Sequence, residues 1–364
     1  MSKQVASGKW TVARRQAQGQ RRMAGGRWQV GLQRFGLMIA AVLLASCGKP
    51  EQKADPATQS PASPNLPRRE LTKMTLALNW FPEAEHGGYY HAKIKGLYAK
   101  HGIDLAIIKG GPGTPVEIEV GTGRKDFGIV NADKILSTRA EGVPVVGLLA
   151  PFQVSPRCII VRESSPVKTF DDLKNMTLIA NPAKPFVKFL QHKYGLEGVT
   201  IIPYRGGLAT FLNTDNAAVQ GYINSEPLIL AERGERVRTL SLATAGFNPY
   251  TSVLVTSEKM IAENPELVQG MVRASQTGWL SYLLFPAPAN SEIQRQNSEI
   301  ETYVLEEGAK QLGPLMLTGD AELAAFGTMT ETRWAKLQSQ LIACGAIKDS
   351  GKPVSEAFTT EFLR

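Results

Sequence analysis

From residue 73 onward, short apolar runs alternate with segments in which apolar residues recur every three or four positions. Runs at residues 74–78, 103–108, 127–130 and 143–149 have the length and composition of strands. Between the first two, Tyr90, Ile94, Leu97 and Tyr98 share one helical face, so residues 87–101 read as a single helix that Gly102 stops. A turn at Gly110-Gly111-Pro112-Gly113 leads into Thr114-Pro115-Val116-Glu117, which predicts a helix start with a capping box and a proline at the first helical position. A short helix surrounds residues 135–140.

A second group follows, with strands at residues 159–161, 177–180, 200–203, 219–223 and 239–242. Helices at 169–175, 185–194, 207–213 and 226–233 separate them. A strand at 252–256 returns to the first group, and helices fill 265–284 and 291 to the end, interrupted by Pro286 and Pro288. The order predicts an α/β fold with largely parallel strands. The chain leaves a first lobe near residues 150–156, builds a second, and comes back near 245–250. Two crossings of this kind act as a hinge beside a cleft. The expected boundaries are 72–152 with 250–364 for lobe I and 153–249 for lobe II.

The N-terminal region has a different pattern. Residues 35–46 form an uncharged run of 12 residues behind a basic stretch, the length of a signal-peptide apolar region and well short of the roughly 20 residues that span a bilayer. The run ends in Leu44-Ala45-Ser46-Cys47, which resembles the lipobox of bacterial lipoproteins, with Cys47 as the lipidated residue. Translation from Met1 or from Met23 gives a leader of the same type, and paired arginines at 14–15 and 21–22 add a weak twin-arginine feature. Residues 48–69 carry five prolines and almost no large apolar side chain, so they read as a flexible tether.

Charge follows this division. The chain of 364 residues has a formal charge of +8, yet residues 1–46 hold eight of its 41 Lys and Arg and no acid. The 33 basic residues from Cys47 onward face 33 acidic ones. A nucleic-acid partner is therefore not expected, because a phosphate-binding surface would lie in the folded part. A hydrophobic content of 43% is that of a packed globule. Cys158 and Cys344 are far apart in sequence, and their pairing is not decided by it. The histidines at 86, 91, 101 and 192 show no metal-binding spacing.

Several blocks carry a resemblance. They are Leu78-Asn79-Trp80 with Pro82 and His86, Lys95-Gly96-Leu97-Tyr98 with His101-Gly102-Ile103-Asp104, and residues 123–129 (GRKDFGI). Residues 169–173 (TFDDL) and Val255-Thr256-Ser257-Glu258 with Asn264-Pro265-Glu266 complete them. Over about residues 72–285 the chain resembles the periplasmic solute-binding proteins of ABC importers, with the type II binding fold. Within these it is similar to the branch joining thiamine-pyrimidine-binding proteins to yeast-type pyrimidine synthases. The resemblance implies a two-lobe fold with a helical C-terminal tail, and a monomer that captures a thiamine-precursor pyrimidine. It further implies delivery to ABC permease and ATPase subunits on the periplasmic or outer face of a membrane, with no cofactor and no catalytic residue. Sulfonate, nitrate or taurine binding is the alternative within the fold.

Asn79 and Trp80, at the end of the first strand, suit a heteroaromatic edge and face. His86 and Tyr89 can close one side. Asn131 and Asp133 follow the third strand, where Asp133 serves equally well as a helix cap. Glu226 falls where relatives place a carboxylate or amide, and doubles as an acid at a helix N-terminus. Asn248 and Tyr250, near the return crossing, are candidates to cover the ligand. Gly110 to Thr114 can either hold an anion on backbone N–H groups or simply permit the turn. The synthases' pyridoxal-phosphate lysine corresponds to Val130, their donor histidine falls near Lys134, and their cysteine-rich run corresponds to Gly246-Phe247-Asn248-Pro249-Tyr250. Synthase chemistry thus lacks its groups.

Overall fold

A computed structural model describes residues 70–319 and 326–363. The leader, Cys47 and the tether up to Arg69 lie outside the described residues, together with the expectations placed on them. One five-stranded sheet contains β1 (Thr72–Ala77), β2 (Ile103–Ile108), β3 (Phe127–Val130), β4 (Val145–Leu149) and β10 (Val253–Ser257), in the order β2-β1-β3-β10-β4. The other contains β5 (Arg157–Arg162), β6 (Thr177–Ile179), β7 (Thr200–Ile202), β8 (Ala217–Tyr222) and β9 (Val237–Ser241), in the order β7-β6-β8-β5-β9.

The expectation of largely parallel strands needs correction. β1 runs parallel to β2 and β3, and β6 to β7 and β8. By contrast, β10 runs against β3 and β4, and β5 against β8 and β9. β5 and β10 are the first strands laid down after the chain changes sheets. They enter without a strand–helix–strand crossover, so the rule that makes such neighbours parallel does not act on them.

Helices occupy most of the predicted places, with local differences. The single helix expected at 87–101 is two, α1 (Gly87–Ile94) and α2 (Leu97–Lys100), because Gly96 adopts φ 64°, a left-handed conformation that ends α1. The capping box expected at Thr114 does not form, and α3 (Val116–Gly121) begins after Pro115 with no side-chain cap. The segment 169–175 contains only a short 3-10 turn, Phe170–Asp172, held by a Thr169–Asp172 capping box. The remaining helices are α4 (Ala132–Ala140), α5 (Pro185–Tyr194), α6 (Ala209–Leu212), α7 (Glu226–Glu232), α8 (Glu258–Glu263) and α9 (Pro265–Leu284). The tail adds α10 (Ala287–Gln296), α11 (Thr302–Lys310), α12 (Leu312–Met316) and α13 (Glu331–Ala343).

The tail is structural. Trp279 of α9 and Trp334 of α13 are fully buried. α9 packs directly on α1, so closely that a Cβ on Gly88 would lie 2.1 Å from the Trp279 ring. Trp334 stacks on Phe358, with centroids 5.3 Å apart and planes 5° apart. Cys158 is buried and Cys344 partly so, and both are free thiols. Among the described residues no helix is long and apolar enough to cross a membrane.

Candidate functional site

A cleft of about 520 Å³ opens at the carboxyl ends of the parallel strands of both sheets. This is where open α/β sheets place ligands, because the chain leaves each strand there and the turns diverge. The first sheet contributes Asn79 and Trp80 after β1 and Asn131 after β3. The second contributes Asn181 after β6, Tyr204 after β7 and Tyr222 at the end of β8.

Trp80 and Tyr204 face each other from the two sheets. Their ring centroids are 6.0 Å apart and their planes differ by 14°. The turn after β7 closes over them, for a Cβ on Gly206 would lie 2.9 Å from Pro112, 3.4 Å from Phe81 and 3.6 Å from Trp80. Gly206 has φ 89°, so this close approach needs glycine twice over. In the glycine turn after β2, two amides are spent within the chain. The Gly110 N–H donates to the Trp80 carbonyl at 3.1 Å and the Thr114 N–H to the Gly111 carbonyl at 3.2 Å, which leaves those amides committed within the chain.

Below the aromatic pair lie three carboxyl groups, Glu83, Glu85 and Glu226. Burial, followed by the nearby Glu226 carboxylate, pushes the Glu83 carboxyl up to about 8, while Ser225 and Trp80 act in the opposite direction. Glu85 is raised well above the usual range by burial and then by Glu83 and Glu226, against which Arg157 pulls. Glu226 is raised by burial and held partly in check by its hydrogen bonds. The Tyr222 N–H donates to Oε2 at 2.7 Å and the Tyr204 hydroxyl to Oε1 at 3.1 Å. The structure therefore keeps Glu83 as a neutral acid at neutral pH, and burial pushes Glu85 and Glu226 in the same direction. Glu85 Oε2 is buried without a hydrogen-bond partner.

His86 organises this floor from behind. Its pKa is lowered to about 3 by burial, so the ring is neutral. The Glu83 N–H donates to Nδ1 at 3.3 Å, which assigns the proton to Nε2. Nε2 lies 3.1 Å from Asn79 Oδ1 and 3.2 Å from Glu85 Oε1. With its oxygen occupied in this way, Asn79 offers its amide N–H groups to the cleft. The floor thus alternates amide and acid donors with carboxyl acceptors, which matches a planar edge made of ring nitrogens, carbonyls and N–H groups.

Of the nine ligand-contact residues expected from sequence, the structure brings Asn79, Trp80, Asn131, Asp133 and Glu226 to the cleft. Asn131 also joins the two sheets, since its Nδ2 donates to the Tyr222 hydroxyl at 2.9 Å and its Oδ1 accepts from the Ser252 N–H at 2.9 Å. Asp133 lies in the first turn of α4 and makes no cap bond. The other four do not line the cleft. His86 is fully buried behind Asn79. Tyr89 is fully buried against Trp279, and its hydroxyl donates to the Ser252 carbonyl at 3.4 Å. Asn248 accepts from the Ser155 N–H at 2.8 Å, tying the two crossings together. Tyr250 is buried beside Trp334, with Arg333 over its ring. All four lie near the cleft in sequence, but the packed side of each element takes their side chains inward. Sequence reasoning missed Glu83, Glu85, Arg157, Lys184 and Tyr204. Two acids in the otherwise apolar block Pro82-Glu83-Ala84-Glu85-His86 were the available signal.

A family model described as NMT1/THI5 like matches residues 83–289. The chain belongs to the NMT1/THI5-like family. Among curated proteins, this family member is 27% identical to the riboflavin-binding protein RibY of Chloroflexus aurantiacus over 351 residues, 90% of this chain and 95% of the other. It is 27% identical over 216 residues, 57% of this chain and 68% of the other, to 4-amino-5-hydroxymethyl-2-methylpyrimidine phosphate synthase of Legionella pneumophila. The solved structure of the periplasmic aliphatic sulphonate binding protein SsuA from Escherichia coli matches with a TM-score of 0.59 at 14% identity, covering 79% of this chain and 92% of that one. The architecture is the periplasmic binding protein fold, as the blocks around Asn79-Trp80 implied.

Proposed function

We propose that this family member is the solute-binding component of an ABC importer, held at the outer face of a membrane by lipid on Cys47. It closes on a nitrogen heteroaromatic solute. Residues 72–152 with 250–364 and residues 153–249 move as the two lobes of that closure. The observation that carries this reading is the stacked pair Trp80 and Tyr204 above the Asn79, Glu83, Glu85 and Glu226 floor. Stacking contributes about 0.5–1.5 kcal/mol beyond area burial, and a charged hydrogen bond about 1.5–3 kcal/mol.

The size of the cleft refines the choice of ligand. Ligand pockets bury most of their ligand's surface. A cleft of about 520 Å³ suits several fused rings with an attached chain better than a lone pyrimidine. The full-length similarity to a riboflavin-binding protein points the same way. An alkanesulfonate offers no planar edge of ring nitrogens, carbonyls and N–H groups to match the floor's donors and acceptors, so the sulfonate alternative loses ground. Pyrimidine synthesis is also disfavoured, because Val130 stands where the cofactor lysine is required and is buried in β3.

Calorimetric titration of the purified full-length chain with riboflavin, 4-amino-5-hydroxymethyl-2-methylpyrimidine and an alkanesulfonate tests the reading. The expected order places riboflavin first and the sulfonate last. Binding of the sulfonate alone would overturn it.

A further inference from the structure

Lys184 breaks three local rules at once. It occupies the N-cap position of α5, where a side chain that accepts hydrogen bonds is preferred and where the helix dipole disfavours a cation. It is half-buried in the wall of the cleft, and burial lowers its pKa. The next largest influence on it is another cation, Arg157, which lowers it further. Among the described residues, no carboxylate lies within 4 Å of the Lys184 ammonium and no hydrogen-bond acceptor takes its protons. An ordinary surface lysine at a helix start would turn to water, whereas this one lines the cleft.

The neighbouring charges do not compensate for it. Glu117 is paired with Lys134 at 3.2 Å, and the Lys188 ammonium donates to the Gly345 carbonyl at 3.0 Å. Asp133 favours the charged form of Lys184, but less than Arg157 opposes it. Arg157 itself is only 7% exposed. Its guanidinium lies between the Phe186 and Tyr222 rings, at 4.8 and 5.1 Å, and donates to the Tyr222 hydroxyl at 3.2 Å. No carboxylate lies within ion-pair distance of it among the described residues. Two neighbouring cations, one of them more than nine-tenths buried, thus face the same cleft beside the positive end of a ten-residue helix.

We propose that the Lys184 end of the cleft is an oxyanion subsite, which holds a carboxylate, sulfonate or phosphate group carried by the heteroaromatic ligand between Lys184 and Arg157. An anion there supplies the missing partner of Lys184, offsets its repulsion from Arg157 and suits the α5 dipole. The ligand then has two ends, a planar edge on the carboxyl floor and an anionic tail at α5. This inference rests on the heteroaromatic reading of the same cleft.

The test compares two pairs, riboflavin with its 5′-phosphate and 4-amino-5-hydroxymethyl-2-methylpyrimidine with its phosphate, on the full-length chain and on its Lys184→Gln and Lys184→Arg variants. In at least one pair the ester binds about tenfold tighter than the alcohol. Lys184→Gln brings that ratio to within about twofold by weakening the ester more than the alcohol, and Lys184→Arg keeps it. Esters that bind no better than the alcohols, or an advantage that survives in Lys184→Gln, would overturn the subsite. If no member of either pair binds, the heteroaromatic reading has failed, and inorganic phosphate then decides the subsite. Thermal stabilisation of the wild type but not of Lys184→Gln supports it, and equal or absent stabilisation of both refutes it.

Discussion

Replacing Glu83 by Gln removes one proton-binding group from the floor of the cleft with little change in shape. In the folded chain that carboxyl titrates at about 8, against 4.5 for the unfolded value. Between those values the folded state holds a proton that the unfolded state has released, so Glu83 makes stability fall as pH rises. His86 acts in the opposite sense. Its folded value of about 3 lies below 6.5, so between them the unfolded state binds the extra proton and stability rises with pH. The two slopes largely cancel from pH 4.5 to 6.5. From 6.5 to 8 the loss from Glu83 is no longer offset by His86. Over those roughly 1.5 pH units one group contributes about 2 kcal/mol, at about 1.36 kcal/mol per unit. Glu85 adds in the same direction in both proteins, and its share shrinks in the variant because Glu83 is one cause of its shift. The measurement is the melting temperature of wild type and Glu83→Gln at pH 6.5 and 8.0. For a chain of this size, wild type should lose about 4 °C more than the variant over that interval. Parallel curves would show that Glu83 is ionised at neutral pH, and the neutral-acid description of the floor would fail with it.

Two further perturbations test other parts of the molecule. Trp80→Ala removes one face of the aromatic pair and should weaken heteroaromatic binding by about tenfold or more, read by titration, while the melting temperature moves little because Trp80 is half-buried at the cleft. Gly88→Ala should destabilise the fold by about 1–3 kcal/mol, read by denaturant unfolding. The new Cβ would meet the Trp279 ring and force α1 away from α9.

Much of the architecture was legible along the chain because it depends on local pattern. The residues of β2, β3, α5 and α9 were delimited by apolar periodicity, prolines and glycines. The departures came where a single torsion or a distant partner decides. Gly96 reads as tolerable inside a helix, yet its left-handed conformation splits α1 from α2. The direction of β5 and β10 depends on which sheet the chain is entering, which no window of sequence contains.

The sequence by itself determined the α/β class, the two groups of strands, the family resemblance and the Asn79-Trp80 platform. All of these follow from the order of residue types along one stretch of chain. Only the tertiary structure decided what stands opposite that platform. Tyr204, Glu226 and Arg157 come from the second sheet, more than seventy residues away, and the shifted carboxyls of Glu83 and Glu85 exist because folding removes water around them. Burial and through-space charge have no signature in sequence spacing, so His86 and Tyr89 were expected to touch the ligand while Lys184 was passed over. The fold buries the first two behind the cleft and turns the last toward it.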